Sequence, residues 1–195
     1  MVIGASWGGL AALSELIECL PADLPAAVVV VQHRSKDSES LLAQLLQEHS
    51  ALPVREVDDK DSVEPGRVFI APADYHLLVD GPYFSLSVDA PVRYSRPSID
   101  VTFFSTADSY GARAIGVVLT GANEDGARGL RRIVDRRGHA VVQRPETAEV
   151  ATMPNAALRM VPEAKPLRLR EIGPHVARVA RAIAMAPGAH SSGVA

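Results

Sequence analysis

Short apolar runs rich in β-branched residues alternate with amphipathic stretches along this chain, and that alternation restricts its fold more than any other feature. The run from Ala26 to Gln32 has no polar residue before its last position, which is typical of a parallel strand buried on both faces. Further strands are predicted at 2–5, 114–119 and 139–143. Because helical segments separate these strands, the sequence predicts βαβ units and an α/β fold with a largely parallel sheet.

The helical segments are predicted from apolar residues at helical spacing and from turn signals at their ends. They cover 10–20, 37–49, 98–110 with Ser98 as N-cap, 126–137 and 171–185.

The middle of the chain has a different pattern. The apolar runs 67–71 and 76–80 are followed by Gly81-Pro82 and by the alternating residues 83–88. They predict an antiparallel hairpin in this region that turns at Asp80-Gly81. No second domain boundary is visible, and residues 1–186 are expected to form one domain. The tail 187–195, rich in Gly, Ser and Ala, is expected to be disordered.

Composition excludes several functional classes. The 195 residues carry a formal net charge of −3, which argues against a nucleic-acid partner. Cys19 is the single cysteine and no Cys/His spacing of the zinc type occurs, so neither a metal nor a cofactor is predicted. The sequence has no leader pattern and no apolar run long enough to span a bilayer, so membrane insertion is not expected and a cytoplasmic location is predicted.

Ser6 lies in Gly4-Ala5-Ser6-Trp7-Gly8, which fits the G-x-S-x-G pattern of a serine nucleophile. It falls where the first strand ends and a helix begins, the position at which open α/β sheets bind ligands. The pattern alone leaves two alternatives open. The serine could merely cap the helix, or the turn could bind a nucleotide phosphate, although the G-x-G-x-x-G spacing and the P-loop lysine are absent.

A serine nucleophile needs a base, and His33 follows the second strand at the same sheet edge. Adjacent strands lie about 4.8 Å apart, so neighbouring strands would bring the two side chains within reach. His76, which begins a hairpin strand, stays open as a secondary candidate. The other four histidines fall in helices, in the tail or at the opposite edge.

The third group should be an acid that orients the imidazole. Asp125 and Glu124 both follow the strand 114–119 and are both candidates, although Asp125 could also be a simple N-cap. Backbone N–H groups around Gly121 to Asn123 are candidates for an oxyanion hole.

Several segments together resemble the catalytic domain of CheB-type protein-glutamate methylesterases. They occur in the family's order from Val2 to about Ile172: 3–9, 31–33, 69–72 with 76–78, 96–100, 117–121 with 125–127, 143 with 145–148, and 153–154. The resemblance implies a doubly wound, mostly parallel sheet with helices on both faces and an antiparallel hairpin. It also implies a cytoplasmic serine hydrolase that demethylates glutamyl γ-methyl esters on methyl-accepting chemoreceptors and deamidates some of their glutamines.

The resemblance places the catalytic serine, histidine and aspartate on Ser6, His33 and Asp125. It places oxyanion-binding backbone groups at Trp7 and Ala122. Residues expected to contact the substrate are Gln32, Arg96 and Asn123.

The chain departs from the family's pattern at three points. Trp7 stands where the family often has Thr, and Ala122-Asn123 stand where it usually has Met-Gly. Family members also usually carry an N-terminal receiver domain, so the chain is expected to be a stand-alone member, one regulated by a separate receiver or kinase partner, or a fragment.

Two other functions remain open at this stage: a catalytically idle module that binds a receptor or signalling partner, and a nucleotide-binding protein. If the substrate is a glutamate-rich receptor helix, basic side chains in the loops at the carboxyl edge should assist docking. Arg34, Lys36, Arg93 and Arg96 are the candidates.

Overall fold

Seven parallel strands form the central sheet of the computed structural model, which describes residues 1–34 and 41–186. The nine strands of the described chain are β1 (Val2–Ala5), β2 (Val28–Gln32), β3 (Val54–Glu56), β4 (Val68–Ile70), β5 (His76–Asp80), β6 (Tyr83–Ser87), β7 (Ile115–Val118), β8 (His139–Gln143) and β9 (Lys165–Leu167). The sheet has the order β3-β4-β2-β1-β7-β8-β9, and β5 and β6 pair separately as an antiparallel hairpin.

Helices cover both faces of this sheet. They are α1 (Gly9–Glu18), α2 (Leu42–Gln47), α3 (Ile99–Tyr110), α4 (Ala127–Asp135), α5 (Thr152–Met160) and α6 (Leu169–Met185), with single 3₁₀ turns at Gly111–Arg113 and Pro145–Thr147. The apolar side chains of α1, α2 and α6 pack on one face, and those of α3, α4, α5 and the hairpin pack on the other. Alternate residues of β2 enter the two cores, with Val28 and Val30 on one side and Val29 and Val31 on the other. The predicted burial of this strand on both faces follows from that alternation.

The predicted fold class is confirmed: the sheet is doubly wound and parallel, and the hairpin is present. Strands β3 and β9 and helix α5 were not predicted from the sequence. Both strands have three residues, lie at the sheet edges and have polar residues, and β9 contains Pro166, which is tolerated at an edge. Such strands carry no apolar run. The predicted tail 187–195 and the start of the predicted helix 37–49 lie outside the described residues.

The topology singles out one place on the carboxyl edge of the sheet. Strand β1 pairs with β2 on one side and with β7 on the other, so the winding direction reverses between β1 and β7. A reversal of this kind leaves a crevice beyond the strand ends, where open α/β sheets bind ligands. Within the described residues, no helix is long and apolar enough to cross a membrane.

Candidate active site

Ser6 occupies a tight turn between β1 and α1. Its carbonyl oxygen accepts a hydrogen bond from the Gly9 N–H at 2.8 Å, and Gly8 has a φ of +74°. That left-handed conformation is strained for any residue with a Cβ, so glycine is required there. The turn ends the strand abruptly and leaves the half-buried serine side chain at the crevice.

His33 follows β2 directly and lies beside Ser6. The register aligns Ala5 with Gln32, so the next residue of each strand also faces its counterpart. The Nδ1 atom of His33 lies 3.2 Å from Ser6 Oγ, and its Nε2 atom lies 2.8 Å from Asp125 Oδ2. An ionised carboxylate can only accept a hydrogen bond. The neutral ring therefore carries its proton on Nε2, and Nδ1 is left to accept the serine proton.

Asp125 is fully buried and receives hydrogen bonds on both carboxylate oxygens. Oδ2 accepts from His33 Nε2 and from the Ile99 N–H, at 2.8 and 2.7 Å. Oδ1 accepts from Ser98 Oγ at 3.0 Å and from the Asp100 and Gly126 N–H groups at 3.0 and 3.1 Å. Burial alone would raise the pKa of this carboxyl, but the hydrogen bonds from His33 and from the backbone outweigh it and lower the pKa. The group is therefore a stable anion beneath the imidazole.

Glu124, the alternative acid, points the other way. It is exposed, and its carboxylate lies 3.5 Å from Arg93 and 3.4 Å from Arg159. The structure thus brings Asp125, and not Glu124, to His33. The sequence also allowed Asp125 to be a simple N-cap of α4, the helix that follows it. In the structure it also binds the first N–H groups of a different helix, α3.

Asp100, which sequence analysis missed, makes the reciprocal contact. It lies in the first turn of α3, and its Oδ1 atom accepts hydrogen bonds from Gly126 and Gly129 at the start of α4, at 3.0 and 2.7 Å. Burial raises the pKa of the Asp100 carboxyl, the neighbouring Asp125 charge adds to the rise, and the two N–H groups oppose it. Each carboxylate therefore binds N–H groups at the start of the other helix, which connects the N-termini of α3 and α4.

His76 lies behind this pair and not at the reacting atoms. It is buried, its Nδ1 atom accepts a hydrogen bond from the Ser98 N–H at 3.2 Å, and its Nε2 atom lies 3.2 Å from the Ala90 carbonyl oxygen. Ser98 precedes α3 as predicted, but its hydroxyl donates to Asp125 and makes no cap to its own helix. His76 of the hairpin thereby positions Ser98, which in turn binds Asp125.

Two backbone donors face no acceptor at the crevice. Among the described residues, none accepts a hydrogen bond from the N–H of Trp7 or of Ala122. Two neighbouring donors are already used, since Ser6 N–H donates to the Thr120 carbonyl and Gly121 N–H donates to the Val150 carbonyl, at 3.0 and 3.1 Å. The N–H groups of Gly8 and Asn123 also have no acceptor among the described residues. Of the region Gly121 to Asn123 suggested by the sequence, the Gly121 N–H is thus unavailable.

Polar side chains buried below the loops fix these donors. Gln143 accepts from the Thr120 N–H at 2.8 Å and donates to the Thr147 carbonyl at 3.0 Å. The Thr120 hydroxyl donates to the Trp7 carbonyl at 2.9 Å. These bonds connect the strand end of β7 with the turn that carries Ser6.

The indole of Trp7 is 65% exposed beside the serine. Its Nε1 donates to Glu149 Oε1 at 3.0 Å, which tethers the ring to the segment before α5.

The predicted substrate-contacting residues lie in three different settings. Gln32 lies beneath the site, where its Nε2 donates to the Ser6 and His33 carbonyls at 2.8 and 3.0 Å. Arg96 lines a cleft of about 410 Å³ together with His33, but its guanidinium already binds Asp74 and the carbonyls of Val88 and Asp89. Asn123 is the one whose amide reaches the reacting groups: its Nδ2 lies 3.5 Å from His33 Nδ1.

The basic side chains expected to assist docking are mostly paired with acids. Arg34 is nine-tenths buried and binds Glu56 at 2.9 Å, Arg96 binds Asp74 at 2.6 Å, and Arg93 faces Glu124. Lys36 lies outside the described residues. The mouth of the site is thus a mixed surface of both charge signs.

The remaining described histidines lie elsewhere. His49 is exposed after α2, His139 begins β8 at the opposite edge, and His175 lies in α6. Across residues 1–34 and 41–186, no group of three or more His, Cys, Asp or Glu side chains could hold a metal ion.

Comparison with known proteins gives concordant matches. The family model described as CheB methylesterase matches residues 1–176. A Leptospira interrogans protein, provisionally named a protein-glutamate methylesterase/protein-glutamine glutaminase, is 41% identical over 159 residues, which cover 81% of this chain and 82% of the relative. A Symbiobacterium thermophilum protein that carries the same two activities in its name is 41% identical over 161 residues, covering 82% of this chain and 44% of the relative.

A solved structure agrees with the computed one over most of its length. The crystal structure of the Thermotoga maritima CheB methylesterase catalytic domain matches with a TM-score of 0.88 and 33% identity, covering 91% of this chain and 96% of that chain. The chain therefore spans nearly all of the solved catalytic domain and somewhat under half of the longer Symbiobacterium relative.

Proposed function

The chain belongs to the CheB methylesterase family, and from this premise we propose that it is a serine hydrolase that removes methyl groups from glutamyl γ-methyl esters on methyl-accepting chemoreceptors. Relatives also carry the name protein-glutamine glutaminase, so hydrolysis of glutamine side chains is included as a second activity of the same site. The proposed location is the cytoplasm.

The observation that carries this proposal is the hydrogen-bonded line Ser6–His33–Asp125. Three neighbouring strands, β1, β2 and β7, end beside one another, and the loop after each provides one member of the line. This combination of a hydroxyl, an imidazole and a buried anion supports nucleophilic catalysis. The intact line also argues against an idle module of the same fold.

The proposed reaction proceeds through a covalent intermediate. Ser6 Oγ attacks the ester carbonyl carbon while His33 Nδ1 takes the hydroxyl proton, and Asp125 stabilises the imidazolium. The tetrahedral intermediate collapses, the C–O bond to the methoxy group breaks, and the departing oxygen takes the proton from Nδ1 to give methanol. Water, deprotonated by His33, then attacks the acyl–Ser6 ester. The bond to Ser6 Oγ breaks, Oγ takes the proton back from His33, and the glutamate carboxylate is released.

The proposed oxyanion donors are the Trp7 and Ala122 backbone N–H groups, which have no acceptor among the described residues. Gln32 is proposed to position Ser6 and His33 through their carbonyls. Arg96 is proposed to hold the cleft wall on which the receptor segment rests.

This mechanism needs no metal ion or cofactor, because nucleophile, base and oxyanion donors are all protein groups. Exhaustive dialysis against a chelator should leave the rate of methanol release unchanged. An activity lost on chelation and restored by a divalent ion would contradict the serine mechanism.

The proposal is tested by methanol release from a methylated receptor cytoplasmic fragment, with Ser6→Ala as the matched control and a short-chain ester as comparison substrate. A serine-directed phosphonate should label Ser6, as mapped by peptide mass spectrometry. Ester hydrolysis absent in wild type would favour an idle binding module. Equal turnover of the short-chain ester would leave a serine hydrolase but remove the methylesterase.

A further inference from the structure

The side chain of Asn123 is fixed with its amino group facing the reacting groups. Its Oδ1 atom accepts the Asp125 N–H at 2.9 Å, and its Nδ2 atom lies 3.5 Å from His33 Nδ1. An amide side chain can accept a hydrogen bond only through its oxygen. Because Asn123 Oδ1 accepts the Asp125 N–H, the Nδ2 end of the amide must point inward. The inward end therefore consists of two N–H donors and no acceptor.

These donors lie beside the nitrogen that must protonate the leaving group. His33 Nδ1 is the ring atom that faces Ser6 Oγ, at 3.2 Å, so it carries the serine proton after attack and passes it on. The leaving atom must then lie within hydrogen-bond distance of Nδ1, about 2.8 Å. Because Asn123 Nδ2 is only 3.5 Å from Nδ1, the same leaving atom is within reach of both.

We propose that Asn123 makes this site selective for methyl esters over glutamine amides by donating a hydrogen bond to the leaving oxygen. The inference rests on the proposed function and specifies which of its two substrates is preferred. It concerns the position at which this chain departs from the Met-Gly that the resemblance leads one to expect.

The selectivity follows from counting lone pairs on the leaving atom. In the ester's tetrahedral intermediate the methoxy oxygen has two, so it can take the proton from His33 and also accept the Asn123 N–H as the C–O bond breaks and methanol forms. The nitrogen of the corresponding amide intermediate has one lone pair, which must take the His33 proton before the C–N bond breaks and ammonia leaves. The Asn123 donors then face N–H groups without an acceptor, and an unsatisfied polar contact of this kind discriminates against the amide.

Two variants separate this role from mere support of the loop. Asn123→Asp keeps an oxygen for the Asp125 N–H but replaces the inward donors with an acceptor. Asn123→Ala removes both. Glu124→Gln changes an exposed residue of the same loop, whose carboxylate faces Arg93 and Arg159 and not His33, and it is the matched control.

The experiment measures kcat/KM for methanol release from a methylated receptor fragment and for ammonia release from the same fragment carrying glutamine at those sites. Asn123→Ala should lower the ester-to-amide ratio by about tenfold, the effect of one hydrogen bond, and Asn123→Asp should lower it further. Glu124→Gln should leave the ratio unchanged.

A structural role alone would reduce both rates together, so an unchanged ratio in Asn123→Ala and Asn123→Asp overturns the inference. That result is distinct from failure of the proposed function, in which the wild-type chain itself would hydrolyse neither substrate.

Discussion

The N-termini of α3 and α4 are held by the same kind of group, yet the two carboxylates behave in opposite ways. Asp125, beside the start of α4, binds the first N–H groups of α3, and Asp100 in α3 binds the first N–H groups of α4. Helix starts attract anions, so both residues suit their places. Nevertheless the pKa of Asp125 is lowered and that of Asp100 is raised.

The difference lies in how many donors each carboxylate receives and which they are. Asp125 accepts on both oxygens and has His33 as a partner, whereas the two helix bonds of Asp100 end on Oδ1 alone. Burial destabilises both anions, but only Asp125 has enough donors to overcome it. Similar positions at paired helix starts can therefore lower the pKa of one carboxyl, Asp125, and raise the pKa of the other, Asp100.

The sharpest test exchanges each carboxylate for an amide. Asp125→Asn should lower ester hydrolysis roughly 10⁴-fold, because an amide disturbs both the tautomer and the orientation of His33. Asp100→Asn should stay within about tenfold, since it lies one contact further away. Glu124→Gln, in the same loop but exposed, should have almost no effect. Initial rates of methanol release measure all three, and a damaging Glu124→Gln with a silent Asp125→Asn would reverse the acid assignment.

The same pair should differ in stability at neutral pH. In Asp125→Asn the new amino group must face N–H donors whichever way the amide turns, which should reduce the free energy of unfolding by about 1–3 kcal/mol. In Asp100→Asn the remaining oxygen can still accept from Gly126 and Gly129, so the change should be below about 1 kcal/mol. Asp100→Ala, which removes that oxygen, is the control and should cost as much as Asp125→Asn. Urea unfolding measures the three values. Equal losses in the two Asn variants would refute the explanation that Asp100 needs only one oxygen to bind α4 whereas Asp125 needs both.

The pH dependence of stability should have opposite signs for the two residues. The lowered pKa of Asp125 contributes stability above the ordinary carboxyl value of 3.8, and that contribution disappears as pH falls through the folded-state pKa. The raised pKa of Asp100 contributes stability below 3.8 that disappears as pH rises through its folded-state pKa. On acidification, the difference in free energy of unfolding between wild type and Asp125→Asn should therefore shift against wild type. The corresponding difference between wild type and Asp100→Asn should shift in favour of wild type. Parallel slopes in urea titrations between pH 3 and 7 would contradict the opposite shifts.

The smallest effect concerns one of the five donors to Asp125. Ser98→Ala removes its hydroxyl hydrogen bond and should lower kcat severalfold, with some loss of stability. Thr102→Val removes another buried hydroxyl of the same region, which donates to the Leu77 carbonyl and not to Asp125. The two variants should lose similar stability, but only Ser98→Ala should lose activity. A matching loss of activity in Thr102→Val would show that the effect is structural.

Much of the site could be predicted from sequence because strand ends are easy to locate. The runs 2–5, 26–32 and 114–119 place Ser6, His33 and the Asp125 loop at one sheet edge, and neighbouring strands then bring the side chains together. The contributions of Asp100, His76 and Gln143 could not be predicted, since each accepts a backbone N–H of another segment and none belongs to a catalytic sequence pattern. The polar strands β3 and β9 were missed for a related reason: pairing with a neighbour, and not an apolar pattern, makes them strands.

By itself the sequence determined the α/β class and supplied the proposed nucleophile and base and the short list of candidate acids, because hydrophobic periodicity and glycine turns act over a few residues. The tertiary structure decided that Asp125 and not Glu124 contacts His33. It also engaged the Gly121 N–H in a hydrogen bond to the Val150 carbonyl and turned the Asn123 amino group toward His33. Those decisions depend on which donors and acceptors meet across separate helices and strands. Hydrogen bonds act only at contact distance and in a fixed direction, so residues far apart in the chain acquire these roles only when folding has brought them together.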